Sequence, residues 1–179
     1  MKKIMFNDKY GLTKAVLEGR KTQTRRIAYT GNATNIDCGI CVEQKNFGRA
    51  TLFHGIDEIA HSRYNVGEEV AVAQSYKNIH AEILREFGDL ELKQEFLKSK
   101  GYTNKMFVRA DKMPHRIRIT DIRAERLQEI SYEDCLAEGI SPSDPNAKAA
   151  YAALIDHISG KGTWASNPYV FVYEFELVK

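Results

Sequence analysis

Gly19-Arg20-Lys21-Thr22-Gln23-Thr24-Arg25-Arg26 packs four cations and two hydroxyls into eight positions and runs directly into Ile27. Threonine is stiff at χ1 and favours extended backbone. Gly19 stands where the preceding helical pattern stops. The segment therefore reads as a loop entering a strand. Cations interleaved with hydroxyls supply both charge and short directional donors, which suits phosphate. The same composition also suits a solvated strand edge that discourages pairing with other chains.

On the N-terminal side, residues 2–6 read as a short strand, and Asn7 or Asp8 can cap a following helix with Leu12, Ala15 and Val16 on one face. On the C-terminal side, residues 28–63 are punctuated by Gly31, Asn32, Gly39, Gly48 and Gly55, with a hairpin predicted around Arg49–Phe53. Val66-Gly67-Glu68-Glu69-Val70-Ala71-Val72-Ala73 is a turn feeding a strand. From 76 the period becomes helical, with Ile79, Ile83, Leu84 and Phe87 on one face, and Leu90, Phe96 and Leu97 suggest a second short helix. Ile117 and Ile119 alternate against Arg116, Arg118 and Thr120, the pattern of a half-buried strand over 116–123.

Ser131 followed three residues later by Asp134 predicts a capped short helix with Tyr132, Cys135 and Leu136 inward, ended by Gly139. Asn146 opens a longer one, with Ala147, Ala150, Tyr151, Leu154, Ile155 and Ile158 at helical spacing. Tyr169–Val178 closes the chain as an aromatic and β-branched strand. Short strands separated by helices of uneven length lack the regular alternation of a parallel sheet, so a mixed or antiparallel α+β barrel fits best.

The 179 residues suit one domain, 1–179, large enough to bury a core without disulfides. A net charge of +2 imposes no global demand for nucleic acid, so a basic binding surface must be local. No apolar run reaches the roughly 20 residues that span a bilayer, and Asn7-Asp8-Lys9 cuts off any signal-like start. Three cysteines fit reduced thiols, and a cytoplasmic location is expected.

The eight-residue segment resembles the signature of the ASCH domain, G-x-K-T-x-T-x-R. Three more features follow in the family's order: the Val66–Val70 turn into a strand, an acidic helix ending in Ala137-Glu138-Gly139-Ile140, and the closing strand from Asn167-Pro168-Tyr169 to Phe175. The match is nearest to larger ASCH proteins of bacteriophages and prophages. Residues 28–63 and 77–110 look like insertions relative to the smallest members. The resemblance implies a PUA-like β-barrel with peripheral helices and a helical insertion.

It also implies a cleft for RNA or a nucleotide. Small members resemble amidohydrolases that remove the acyl group of N4-acetylcytidine with a lysine, a threonine and a glutamate. Matched by motif, these are Lys21, Thr24 and Glu138, and no cofactor or metal is implied.

Chemistry adds its own reading. A partly buried Lys21 beside Arg20, Arg25 and Arg26 should have a depressed pKa and could act as a base. Strand alternation separates Lys21 from Thr24 unless Lys21 lies before the strand and folds back. Glu138 stands about 60° from Cys135 around its helix. Lys21 is expected to line a cleft, so that its removal spares stability. Arg20, Thr22, Arg25, Arg26, Arg116 and Arg118 are the predicted nucleic-acid or substrate contacts, with Trp164, Asn167 and Tyr169 as a stacking surface. Cys38 and Cys41 with His54 and His61 have partial finger spacing, but the second gap is too long for zinc. The leading expectation is a binder of RNA or a modified nucleoside in a basic cleft. An amidohydrolase acting on a small substrate is second, and a phage or prophage accessory protein used for protein contacts is third.

Overall fold

A computed structural model describes residues 1–28, 40–45, 48–54, 57–81, 94 and 96–178. The fold is α+β. Its strands are β1 (Lys3–Ile4), β2 (Gln23–Ile27), β3 (Ile40–Lys45), β4 (Arg49–His54), β5 (Asp57–His61), β6 (Glu69–Val72), β7 (Arg116–Arg126) and β8 (Tyr169–Leu177). The helices used below are α1 (Leu12–Leu17), α2 (Tyr132–Ala137), α3 (Ala147–Ser159) and α4 (Thr163–Ser166). Five strands form one mixed sheet in the order β1-β6-β7-β8-β2. All five were predicted as strands, and among the described residues no further ladder closes their sheet into the expected barrel.

Two compact units divide the chain, one from Met1–Glu18, Glu69–Arg118 and Leu177–Lys179, the other from Gly19–Glu68 and Ile119–Glu176. The first holds β1 parallel to β6, and β6 antiparallel to the start of β7 with Val70 opposite Ile117. Its core gathers Ala71, Ala73, Tyr76, Ile79, Phe96, Val108 and Met113. The Lys3 ammonium donates to the carbonyls of Met106 and Val108 at 2.7 and 2.6 Å, which ties the first strand to the segment around 106–108. The predicted helix beyond Ile79 falls largely outside the described residues.

The second unit holds β2 antiparallel to β8, with Gln23 opposite Glu174 and Thr24 opposite Tyr173. The hairpin expected around Arg49–Phe53 is part of the antiparallel meander β3-β4-β5. Leu127, Ile130, Cys135, Ala147, Tyr151, Val170 and Val172 make this unit's core. Ser131 Oγ accepts from the Asp134 amide at 3.0 Å, so the predicted cap starts α2. Tyr132, expected inward, is exposed although it stands one turn before buried Cys135, because it is the first residue of a six-residue helix and the core ends short of it. Ile158 is likewise exposed, one residue from the end of α3. Asn146 caps α3 by accepting from Ala149.

Gly101 offers a direct check on the first unit. A Cβ built there would come 2.6 Å from a Tyr76 ring carbon. That ring is held by Phe96, 4.5 Å away between centroids, and its hydroxyl accepts from the Arg109 amide at 2.9 Å. Gly101→Ala should lower unfolding free energy by about 1–3 kcal/mol, the usual cost of overpacking. Urea titration measures it; an unchanged midpoint would show that the ring yields without cost.

Candidate active site

Lys21 and Thr22 precede β2, and the Thr22 amide donates to the Ala137 carbonyl at 2.9 Å. This bond sets the basic loop against the end of α2. The Lys21 side chain then folds back on its own strand. Its ammonium donates to the Gln23 carbonyl at 2.7 Å, the Glu138 carbonyl at 2.8 Å and the Glu138 carboxylate at 2.5 Å. Three donors meet three acceptors. Lys21 is only 2 % exposed and Glu138 5 %. Burial pushes the Lys21 ammonium below its ordinary value, against the opposing pull of the Glu138 carboxylate.

Arg25 lies on the same face of β2 as Gln23, two residues on. One guanidinium nitrogen bonds Gln23 Oε1 at 2.5 Å and Glu138 Oε1 at 3.3 Å; another bonds Glu125 and Asp134, each at 2.6 Å. The Gln23 amide nitrogen donates to Asp134 Oδ1 at 3.1 Å and Glu174 Oε1 at 3.2 Å. Arg123 adds bonds to Glu125, Glu174 and Asp134. Burial alone would raise the Asp134 carboxyl, but the Gln23 hydrogen bond and the Arg25 and Arg123 charges outweigh it and hold it low.

An open pocket of about 280 Å³ adjoins this network. Thr22, Gln23, Asp134, Ala137, Glu133 and Glu174 line it, with Thr120 and Phe175. Lys21 and Glu138 stand one residue layer behind that lining, bonded to Gln23 and following Ala137. The lining carries three carboxylates and no cation. The two inner cations of the basic segment, Lys21 and Arg25, are turned inward onto acids, while Arg20 and Arg26 remain exposed.

Of the sequence candidates, the structure thus brings together Lys21, Thr22, Arg25 and Glu138. Thr24 is buried on β2, but strand alternation puts it on the opposite face from Gln23 and Arg25, with Tyr173 across the ladder. Arg116 and Arg118 belong to the other unit, where Arg118 pairs with Glu69 at 3.0 Å. Trp164 meets Tyr151 edge-on at 6.3 Å. Tyr169 is covered by the Arg126 guanidinium, 4.0 Å from its ring centre, and Arg126 also bonds the Asn167 carbonyl.

Cys38 and the side chains of Cys41 and His54 lie outside what is described, and His61 bonds Glu58. Among the described residues no cluster of three or more His, Cys, Asp or Glu is arranged to hold a metal. No helix there is long and apolar enough to cross a membrane.

Sequence reasoning missed Gln23, Glu125, Asp134 and Glu174 as members of the network, and Tyr151 beside it. The signal for Gln23 was present: its two-residue spacing from Arg25 places both on one strand face. Tyr151 is 1 % exposed, its hydroxyl bonds none of the described residues, and it feels the charges of Glu138 and Arg25. No protein-family model matches the chain, and searches of curated proteins and of solved structures find no match.

The geometry corrects one expectation. Lys21 is core rather than cleft wall, so Lys21→Met should cost about 3–5 kcal/mol by stranding a buried carboxylate. Lys21→Met combined with Glu138→Leu should recover most of that loss, because both charges go together. Chemical denaturation of the two single variants and the pair tests it; a double variant as weak as the summed singles refutes the pairing.

The acid limb follows from Asp134. Its folded value lies below the ordinary 3.8, so the stability it contributes is present above that pH and is lost on acidification through the lowered value. Asp134→Asn should flatten the fall of thermal midpoint between about pH 5 and pH 2. Lys21 gives a slope of the same sign in the alkaline range: with its value lowered from 10.5, its contribution improves as pH rises toward 10.5. An acid limb equally steep in Asp134→Asn would remove the assignment.

Proposed function

We propose that this chain is an ASCH-type protein of the PUA-like barrel class that hydrolyses the acyl amide of an N4-acylcytidine-like nucleoside. The observation carrying the reading is the Lys21–Glu138 pair, at 2.5 Å and almost fully buried. A proton passed from ammonium to carboxylate leaves an amine and an acid with no change in net charge. Desolvation favours that neutral form. The amine then takes a proton from water as the water oxygen bonds the acyl carbon, and the Glu138 acid gives its proton to the departing amino nitrogen. Amide and water become carboxylic acid and amine, and each role needs hydrogen-bond reach of about 2.6–3.2 Å or one bridging water. The acidic pocket lining adds support, since it disfavours a polyanion and suits an uncharged ligand rich in N–H and O–H donors. Thr24, on the other face of β2, takes no step in this scheme.

A second reading, RNA or nucleotide binding, is favoured by Arg20 and Arg26, exposed at the two ends of the basic segment. The two are separated by one set of measurements. Wild type should release cytidine from N4-acetylcytidine, and Glu138→Gln, which keeps shape but loses the proton, should fall about 10²–10⁴-fold. No release by wild type, with RNA affinity that drops steeply with salt and is lost in Arg26→Ala, would replace hydrolysis by phosphate binding.

A further inference from the structure

The groups around the Gln23 side chain form the complement of a carboxamide. Its oxygen accepts from Arg25 at 2.5 Å, and its nitrogen donates to Asp134 at 3.1 Å and Glu174 at 3.2 Å. Gln23, Asp134 and Glu174 also line the open pocket, so the amide lies at the boundary between pocket and buried network. We propose that Arg25, Asp134 and Glu174 form an amide-binding subsite that Gln23 fills in the ligand-free protein and that a ligand's amide displaces it to enter. This rests on the amidohydrolase reading for the identity of the ligand, and on the geometry alone for the subsite.

Three features carry it. Arg25 is the only donor to the Gln23 oxygen among the described contacts, and its side chain is 1 % exposed, so it cannot follow a departing amide into solvent. Swinging Gln23 out removes one bond from that nitrogen, which keeps Glu138, and one from each of Asp134 and Glu174, which keep Arg123; an incoming C=O and N–H replace the first and one of the other two. Independently, the buried Tyr151 hydroxyl, which feels the charges of Glu138 and Arg25, bonds none of the described residues. A buried hydroxyl left unbonded is costly.

The contact is thus self-blocking. A glutamine held by three bonds competes with the substrate for the same donors and acceptors. Apparent affinity is reduced by the fraction of molecules whose subsite is open.

Gln23→Ala removes the acetamide portion of the side chain, so acetamide is the probe for the vacated space. Acetamide should raise the thermal midpoint of Gln23→Ala at roughly a tenth of the concentration that wild type needs. Acetate should not substitute, because it lacks N–H groups for Asp134 and Glu174. If the open form is about a tenth of wild-type molecules, KM for N4-acetylcytidine should fall roughly tenfold in Gln23→Ala. Equal response to acetamide and acetate, or none to either, overturns the subsite. A KM that rises in Gln23→Ala overturns displacement, because Gln23 would then be helping to hold substrate. Should wild type fail to hydrolyse the nucleoside, the functional reading falls, and the acetamide response still decides the subsite.

Discussion

The second unit depends on one buried charge pair. Lys21 on a pre-strand loop and Glu138 at the end of α2 are each almost without solvent, and neither could stay ionised there alone. Their mutual bond fixes the loop before β2 and orients the strand that follows. Arg25 then reaches the second Glu138 oxygen and draws Glu125 and Asp134 inward. A polar cluster of this kind is stable only while every member is satisfied, since the low dielectric that strengthens each bond also magnifies a missing one. The Tyr151 hydroxyl, buried nearby, bonds none of the described residues.

Under the proposed hydrolysis, function and stability would draw on the same atoms. A surface lysine would keep its proton at neutral pH and gain little from a carboxylate. Burial weakens the hold of Lys21 on its proton, and the Glu138 carboxylate lies 2.5 Å away. The cost is that the pair cannot be altered without disturbing the fold around it. Chemistry assigned to Lys21 must be separated from structural loss by variants that preserve volume and neutralise both partners.

Much of this was legible beforehand. The five strands of the main sheet and the Ser131 and Asn146 caps follow from periodicity and turn chemistry; the approach of Lys21 to Glu138 was expected only from the family resemblance. The direction of the basic segment was not legible. Composition reports that Arg25 and Lys21 are cationic, but their inward course depends on Glu125, Asp134 and Glu138, which lie at least 100 residues away in sequence. Tyr132 was misplaced because a six-residue helix has too few turns for its period to specify the first position. Gln23 was passed over as the unremarked letter between two threonines, although its spacing from Arg25 already put the two on one face.

Lys21 and Glu138 are separated by 117 residues. At about 5–20 residues per second, a ribosome needs roughly 6–23 s to make the second after the first. Throughout that interval the nascent chain carries a lysine destined for a dry interior with no carboxylate to meet it. Strand β2 also awaits β8, its ladder partner in the last tenth of the chain. The second unit therefore cannot close before β8 has been made, and until then the threonine-rich β2 lacks its ladder partner.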